Sequence, residues 1–128
     1  MQKVEISKIE YGYMETGGPR QIFRHNLIIK FIRKIMKEGK ILDAGCGDGN
    51  LAVKLGRMGY NVSGVDNSEK SVLLAKNRVE KCLLNNIVIQ KGNLQRMDYS
   101  NGIFDALISG EVLEHLKEDT AAIREFNR

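Results

Sequence analysis

A chain of 128 residues is one domain by length and long enough to bury a real core. It holds no apolar run of membrane-spanning length, and Met1-Gln2-Lys3-Val4-Glu5 lacks the apolar stretch of a secretory signal. Its two cysteines, Cys46 in a glycine turn and Cys82 in a helical pattern, read as reduced thiols and not as a disulfide framework, so a soluble cytoplasmic protein is expected.

The net charge of +4 is uneven: residues 1–40 hold nine Lys/Arg against four Glu, and the remainder holds eleven against twelve acidic residues. Gly17-Gly18-Pro19 is the one break, dividing an arm over residues 1–19 from a domain over residues 20–128. In the helical pattern that follows, Lys30, Arg33, Lys34 and Lys37 share one face and Ile28, Phe31, Ile32 and Ile35 another. This is an amphipathic helix with a solvated basic side. Without aromatic interleaving or a nucleic-acid motif, no nucleic-acid partner is expected.

Strands and helices then alternate. Lys40–Asp43 reads as a strand buried on both faces, and Asn50–Met58 as a helix with Leu51, Leu55 and Met58 inward, stopped by Gly59. Asn61–Val65 is a second strand. Ser68 caps a helix running to about Leu84, with Val72, Ala75 and Val79 on its inner face. Ile87–Gln90 and Phe104–Ser109 are the third and fourth strands. Glu111–Leu116 opens a helical segment, and Asp119 or Thr120 starts a last helix. The alternation predicts right-handed βαβ units and a parallel sheet.

The segment Ile41-Leu42-Asp43-Ala44-Gly45-Cys46-Gly47-Asp48-Gly49, followed by Gly64-Val65-Asp66, is the informative part. An apolar run enters a turn with glycine at alternate positions, and a second run ends in an acidic residue. That is the pattern for a nucleotide-like ligand at the carboxyl end of a parallel sheet. A dinucleotide fingerprint requires G-x-G-x-x-G, but the third position here is Asn50 and the extra glycine is Gly49. Asp43 would also repel a pyrophosphate, whereas it suits a cationic or amine-bearing ligand. An NAD-binding reading is weakened accordingly.

Ile41–Gly49 resembles motif I of the class I S-adenosylmethionine-dependent methyltransferases. Three further stretches match at family-like intervals: Val65-Asp66-Asn67-Ser68, Lys91-Gly92-Asn93-Leu94, and Phe104–Ser109 running into Glu111-Val112-Leu113-Glu114-His115-Leu116. The last is similar to methyltransferases of small molecules, including those of ubiquinone and menaquinone biosynthesis. The resemblance covers about residues 20–128. It implies an α/β, Rossmann-like parallel sheet with helices on both faces and strand order 3-2-1-4. It also implies S-adenosylmethionine as cofactor, S-adenosylhomocysteine as its product, and a small-molecule methyl acceptor.

The resemblance further implies roles. Asp43 meets the methionine ammonium; Gly45, Cys46, Gly47 and Gly49 bring the backbone to the cofactor; Asp66 accepts from both ribose hydroxyls. Asn67 lies along the adenine, Leu94 donates its amide to an adenine nitrogen, and Ser109, Gly110 and Glu111 lie beneath the sulfonium. Asn93 stands where many relatives have Asp and is expected to accept from the adenine amino group without the charge. His115 is a weak candidate base, with a structural role the better expectation. Only His25 and His115 occur, without paired cysteines, so no metal site is expected.

Other residues have plainer readings. Cys46 fills a tight turn, Cys82 is core, Asp105 caps a turn, and Tyr11 and Tyr13 either cover the cofactor or pack on the first helix. Relatives build seven strands ordered 3-2-1-4-5-7-6, and this chain stops before strand five. The expectation is therefore a cofactor-binding part lacking the C-terminal portion, with strand four an apolar edge open to self-association or a partner chain. The alternative is a non-catalytic fragment or a partner-dependent cofactor-binding subunit.

Overall fold

In a computed structural model of the chain, residues 18–109, 125 and 128 are described. The elements are α1 (Gly18–Ile35), β1 (Lys40–Ala44), α2 (Asn50–Arg57), β2 (Asn61–Asp66), α3 (Glu69–Lys81), β3 (Ile87–Lys91) and β4 (Ala106–Ile108). The sheet runs β3-β2-β1-β4, and every pairing is parallel. This is an α/β Rossmann-like fold with the expected strand order.

Alternation along the strands divides the apolar residues between two faces. Ile41, Val62, Ile87, Ile89 and Ile108 point to the face where Ile32 of α1, Leu51, Ala52 and Leu55 of α2, and Val72, Ala75 and Val79 of α3 pack. Leu42, Ala44 and Val65 point to the other, covered by Leu94, Met97, Tyr99 and Phe104 from the segment between β3 and β4. Right-handed crossovers account for this division. The steps from β1 to β2 to β3 move one way across the sheet and place their helices on one face. The step from β3 back to β4 moves the other way and runs over the opposite face. Between β1 and β4 the direction reverses, so their carboxyl ends flank the crevice where open α/β sheets bind ligands.

Several boundaries differ from expectation. Helix α3 ends at Lys81, not near Leu84: Cys82 caps it and Leu83 turns left-handed at φ 55°. Strand β4 is shorter than Phe104–Ser109, because Asp105 serves as its anchor. The Asp105 amide donates to the Lys40 carbonyl and its carboxylate accepts the Lys40 amide, both at 2.8 Å. Lys37 lies beyond α1. Of the anticipated apolar face, Ile32 is buried and Ile28 packs partly on the core, but Phe31 and Ile35 are exposed. With Phe23 and Leu27 they form an outward stripe four residues apart, each between 52 and 65% exposed.

The second core has a clasp. The Arg128 guanidinium donates to the carbonyls of Met97, at 2.7 Å, and Tyr99, while Glu125 accepts the Met97 amide and pairs with Arg128. Tyr11, Tyr13, Gly110, the Glu111–Leu116 helix and the start of the last helix lie outside the described residues. Among the described residues, no helix is long and apolar enough to cross a membrane.

Candidate functional site

The loop from β1 to α2 is built on three left-handed glycines, Gly45, Gly47 and Gly49, at φ 80°, 55° and 80°. L-side chains reach that region at a cost of about 1–2 kcal/mol per residue. The amides of Gly45 and Cys46 both donate to the Val65 carbonyl, at 2.7 and 3.0 Å, which hangs the first turn from the end of β2. Gly49 is the N-cap of α2; having no side chain to cap with, it leaves that task to Asp48, whose Oδ1 accepts the Asn50 amide at 3.0 Å. A Cβ at Gly49 would stand 2.9 Å from the Ala75 Cβ, so the loop sits hard against α3. At Gly47 a Cβ would meet nothing within 4 Å, and the backbone there fronts open space.

Asp66 holds this loop in shape. Its Oδ2 accepts the Gly47 amide and its Oδ1 the Ser68 amide, each at 2.9 Å. The resemblance has Asp66 accept from both ribose hydroxyls, and in the structure each of its oxygens already accepts a backbone amide. A carboxylate offers about four acceptor positions, so two remain.

Asp43 lies at the reversal point, paired in register with Gly64 on one side and Ile108 on the other. It is 4% exposed, and its Oδ2 is buried without a hydrogen-bond partner. Burial, then the charges of Asp66 and Asp48, push its carboxyl up to about 7. On β4's side of the crevice the Ser109 hydroxyl is likewise buried and without a partner. Among the described residues these two oxygens have no donor, which leaves room for one from a ligand.

The remaining anticipated residues divide. Cys46 turns its side chain into the core beside Gly64, and its amide and carbonyl bond Val65 and Gly49, so it presents no free side chain to a ligand. Burial, foremost, and the Asp43 and Asp66 charges raise its thiol, which keeps it protonated and inert. Asn67 and Asn93 are exposed at the ends of β2 and β3, while Leu94 is buried in the second core. Asn93 has a local partner, its Oδ1 accepting the Gln95 amide at 2.9 Å. Gly110, Glu111 and His115 lie outside the described residues.

Sequence reasoning missed the polar support beneath the loop. Gln21 and His25, one turn apart on α1, meet Asn50 and Lys54, one turn apart on α2, at 3.4 and 3.1 Å. Burial, with Lys54 and Arg24 nearby, lowers His25 to about 4, so it stays neutral and accepts from Lys54. Arg78 of α3 pairs with Asp48 at 3.7 Å. The matched i, i+4 polar pairs were the available signal.

Residues 42–128 match the family described as a methyltransferase domain. The chain is 34% identical over 85 residues to a ubiquinone biosynthesis O-methyltransferase of Methylocella silvestris, covering 66% of this chain and 33% of that protein. It is 31% identical over 130 aligned positions to a Saccharolobus solfataricus protein named "Probable cobalt-precorrin-6B C(15)-methyltransferase (decarboxylating)", covering 89% and 65%. A solved structure from Methanococcus maripaludis, described as a candidate S-adenosyl-L-methionine-dependent methyltransferase, superposes with TM-score 0.77 at 20% identity, covering 97% of this chain and 54% of that one. At that identity the likeness shows the fold. The chain spans about a third to two thirds of the length of these two curated relatives. More than half of it, with the whole glycine loop, lies inside the family match, and the chain belongs to the methyltransferase domain family.

Proposed function

We propose that this chain is the cofactor-binding part of an S-adenosylmethionine-dependent methyltransferase acting on a small-molecule acceptor. The observation that carries the reading is the unpaired, buried Asp43 Oδ2 below a three-glycine loop at the sheet's reversal point. An ammonium satisfies that oxygen. A diphosphate does not, because Asp43, Asp48 and Asp66 all face the loop, which sets the NAD-binding alternative aside.

The other residues take complementary parts. Gly47 lets a ligand close on the backbone, Asp66 offers its two spare acceptor positions to ribose hydroxyls, and Asn67, Asn93 and Leu94 border the adenine. Ser109 is assigned to the sulfonium end, and so, on its sequence motif alone, is Glu111. When bound, the cofactor supplies an already activated methyl group. The protein's part is then to hold the acceptor in line with that methyl, with His115 the candidate base where the acceptor must lose a proton. The two named relatives, one an O-methyltransferase and one a C(15)-methyltransferase, support methyl transfer and leave the acceptor open.

A calorimetric titration with S-adenosylmethionine and S-adenosylhomocysteine tests the reading, with NADH as the competing ligand. A second reading, a partner-dependent cofactor-binding unit, is favoured by one feature. Among the described residues, β4 pairs only with β1, beside the exposed apolar stripe of α1. Solution mass tests it, since a strict monomer argues against pairing through that edge.

A further inference from the structure

We infer that binding at this site is proton-linked: Asp43, buried at the reversal point with one oxygen that finds no donor among the described residues, gives up a proton when a cationic amine binds beside it. The inference rests on the reading of the site as one for S-adenosylmethionine.

The geometry requires a choice between two states. A carboxylate at Asp43 would be 4% exposed, with one oxygen unpaired and two further carboxylates bearing on it. That is a costly place for a negative charge. Protonation removes the charge when no ligand is present. A bound ammonium removes the reason for protonation, because N–H donors and a positive charge then reach the unpaired oxygen. The balance is simple. The carboxyl O–H bond breaks, its proton passes to solvent, and an ammonium N–H donates to the oxygen left behind.

The groups facing Asp43 come from each neighbouring element. Asp66 closes β2, Asp48 and the Cys46 thiol belong to the loop, and Ser109 at the end of β4 carries no charge. The cations close by act elsewhere: Arg78 of α3 pairs with Asp48, and Lys54 of α2 is coupled to the same residue. His25 on α1 stays neutral above its lowered value of about 4. Burial at Asp43, with the acidic neighbours adding to it, raises its carboxyl to about 7, which puts the exchange in the neutral range.

The test titrates the whole chain with S-adenosylhomocysteine at pH 6, 7 and 8, in two buffers of different ionisation enthalpy. Affinity should rise about tenfold from pH 6 to pH 8, with about one proton released per site at pH 6 and almost none at pH 8. 5′-Methylthioadenosine, which keeps the nucleoside and sulfur but lacks the amine, should bind with no proton release and no pH step. Asp43→Asn should flatten the S-adenosylhomocysteine profile. Without ligand, the wild type should lose stability relative to Asp43→Asn as pH rises from 4 to 7; if the variant does not fold, the wild-type titrations decide. Binding of S-adenosylhomocysteine without proton release, or a pH step that survives in Asp43→Asn, overturns the inference while leaving the cofactor reading intact. Absence of binding at every pH overturns the cofactor reading and this inference with it.

Discussion

The Asp66 carboxylate accepts the Gly47 amide at 2.9 Å, joining the last residue of β2 to the middle of the glycine loop. The same side chain accepts the Ser68 amide at the start of α3. One residue therefore shapes the loop and faces the crevice, and its two duties separate by substitution. Asp66→Ala should lower stability by roughly 2 kcal/mol, from two lost charge-assisted bonds, and reduce cofactor affinity by at least about thirtyfold. Asp66→Asn keeps one acceptor oxygen and should recover much of the stability but little of the affinity. Urea unfolding and calorimetry on both variants measure the two effects.

Gly47 and Gly49 should respond differently to alanine. Both have positive φ, so each substitution costs about 1 kcal/mol or more in backbone strain. Only at Gly49 does the new methyl collide, 2.9 Å from the Ala75 Cβ. Gly49→Ala should therefore destabilise by roughly 2–4 kcal/mol, and adding Ala75→Gly should return the steric share. Gly47→Ala should lose only the strain cost of about 1 kcal/mol yet bind cofactor poorly, since its methyl enters the open side.

Asn93→Asp tests the adenine end. Aspartate can keep the bond now made to the Gln95 amide and adds charge toward an amino-group donor. Affinity for S-adenosylhomocysteine should stay the same or improve by a few fold. A large loss would show that this side chain does not touch the amino group.

His25 sets the acid limit. Its folded value, about 4, lies below the unfolded 6.5, so the unfolded chain binds more protons between those values. The stability tied to neutral His25 is present above pH 6.5 and is lost as pH falls toward 4. Because Asp43 acts in the opposite direction over part of this window, the effect is read as a difference: relative to His25→Gln, the wild type should lose stability as pH falls from 6.5 to 4. Equal slopes would remove His25 from the account.

The α1 stripe makes a prediction about association. Phe31→Glu and Leu27→Glu replace exposed side chains, so stability should shift by no more than about 0.5 kcal/mol. If the stripe and the β4 edge hold another chain, each substitution should lower the solution mass to that of a monomer. Sedimentation at several concentrations reads this directly.

The parts legible in the sequence are those with a period or a fixed spacing. Alternation of strand and helix placed β1 to β3 within a residue, and G-x-G-x-G located the loop whose three glycines are all left-handed. Boundaries set by single contacts were not legible. Leu83 ends α3 early by turning left-handed, and Asp105 leaves β4 to bond Lys40. The stripe on α1 shows the same limit, since helical spacing identifies an apolar face without saying what covers it. At the site, chemistry was legible by residue type, as with Asp43 and Asp66. The Asp66–Gly47 bond and the His25–Lys54 contact join residues 19 and 29 positions apart; the paired polar spacing on α1 and α2 hinted at the second, but no local pattern states which residues meet.

The central claim is that this crevice holds an aminoacyl-like nucleoside cofactor, and calorimetric titration of the whole chain with S-adenosylhomocysteine measures it most directly. The account predicts one site per chain, sharply weakened by Asp66→Ala and not competed by NADH. Failure of S-adenosylhomocysteine and S-adenosylmethionine to bind a folded chain, or binding of NADH in their place, would contradict it.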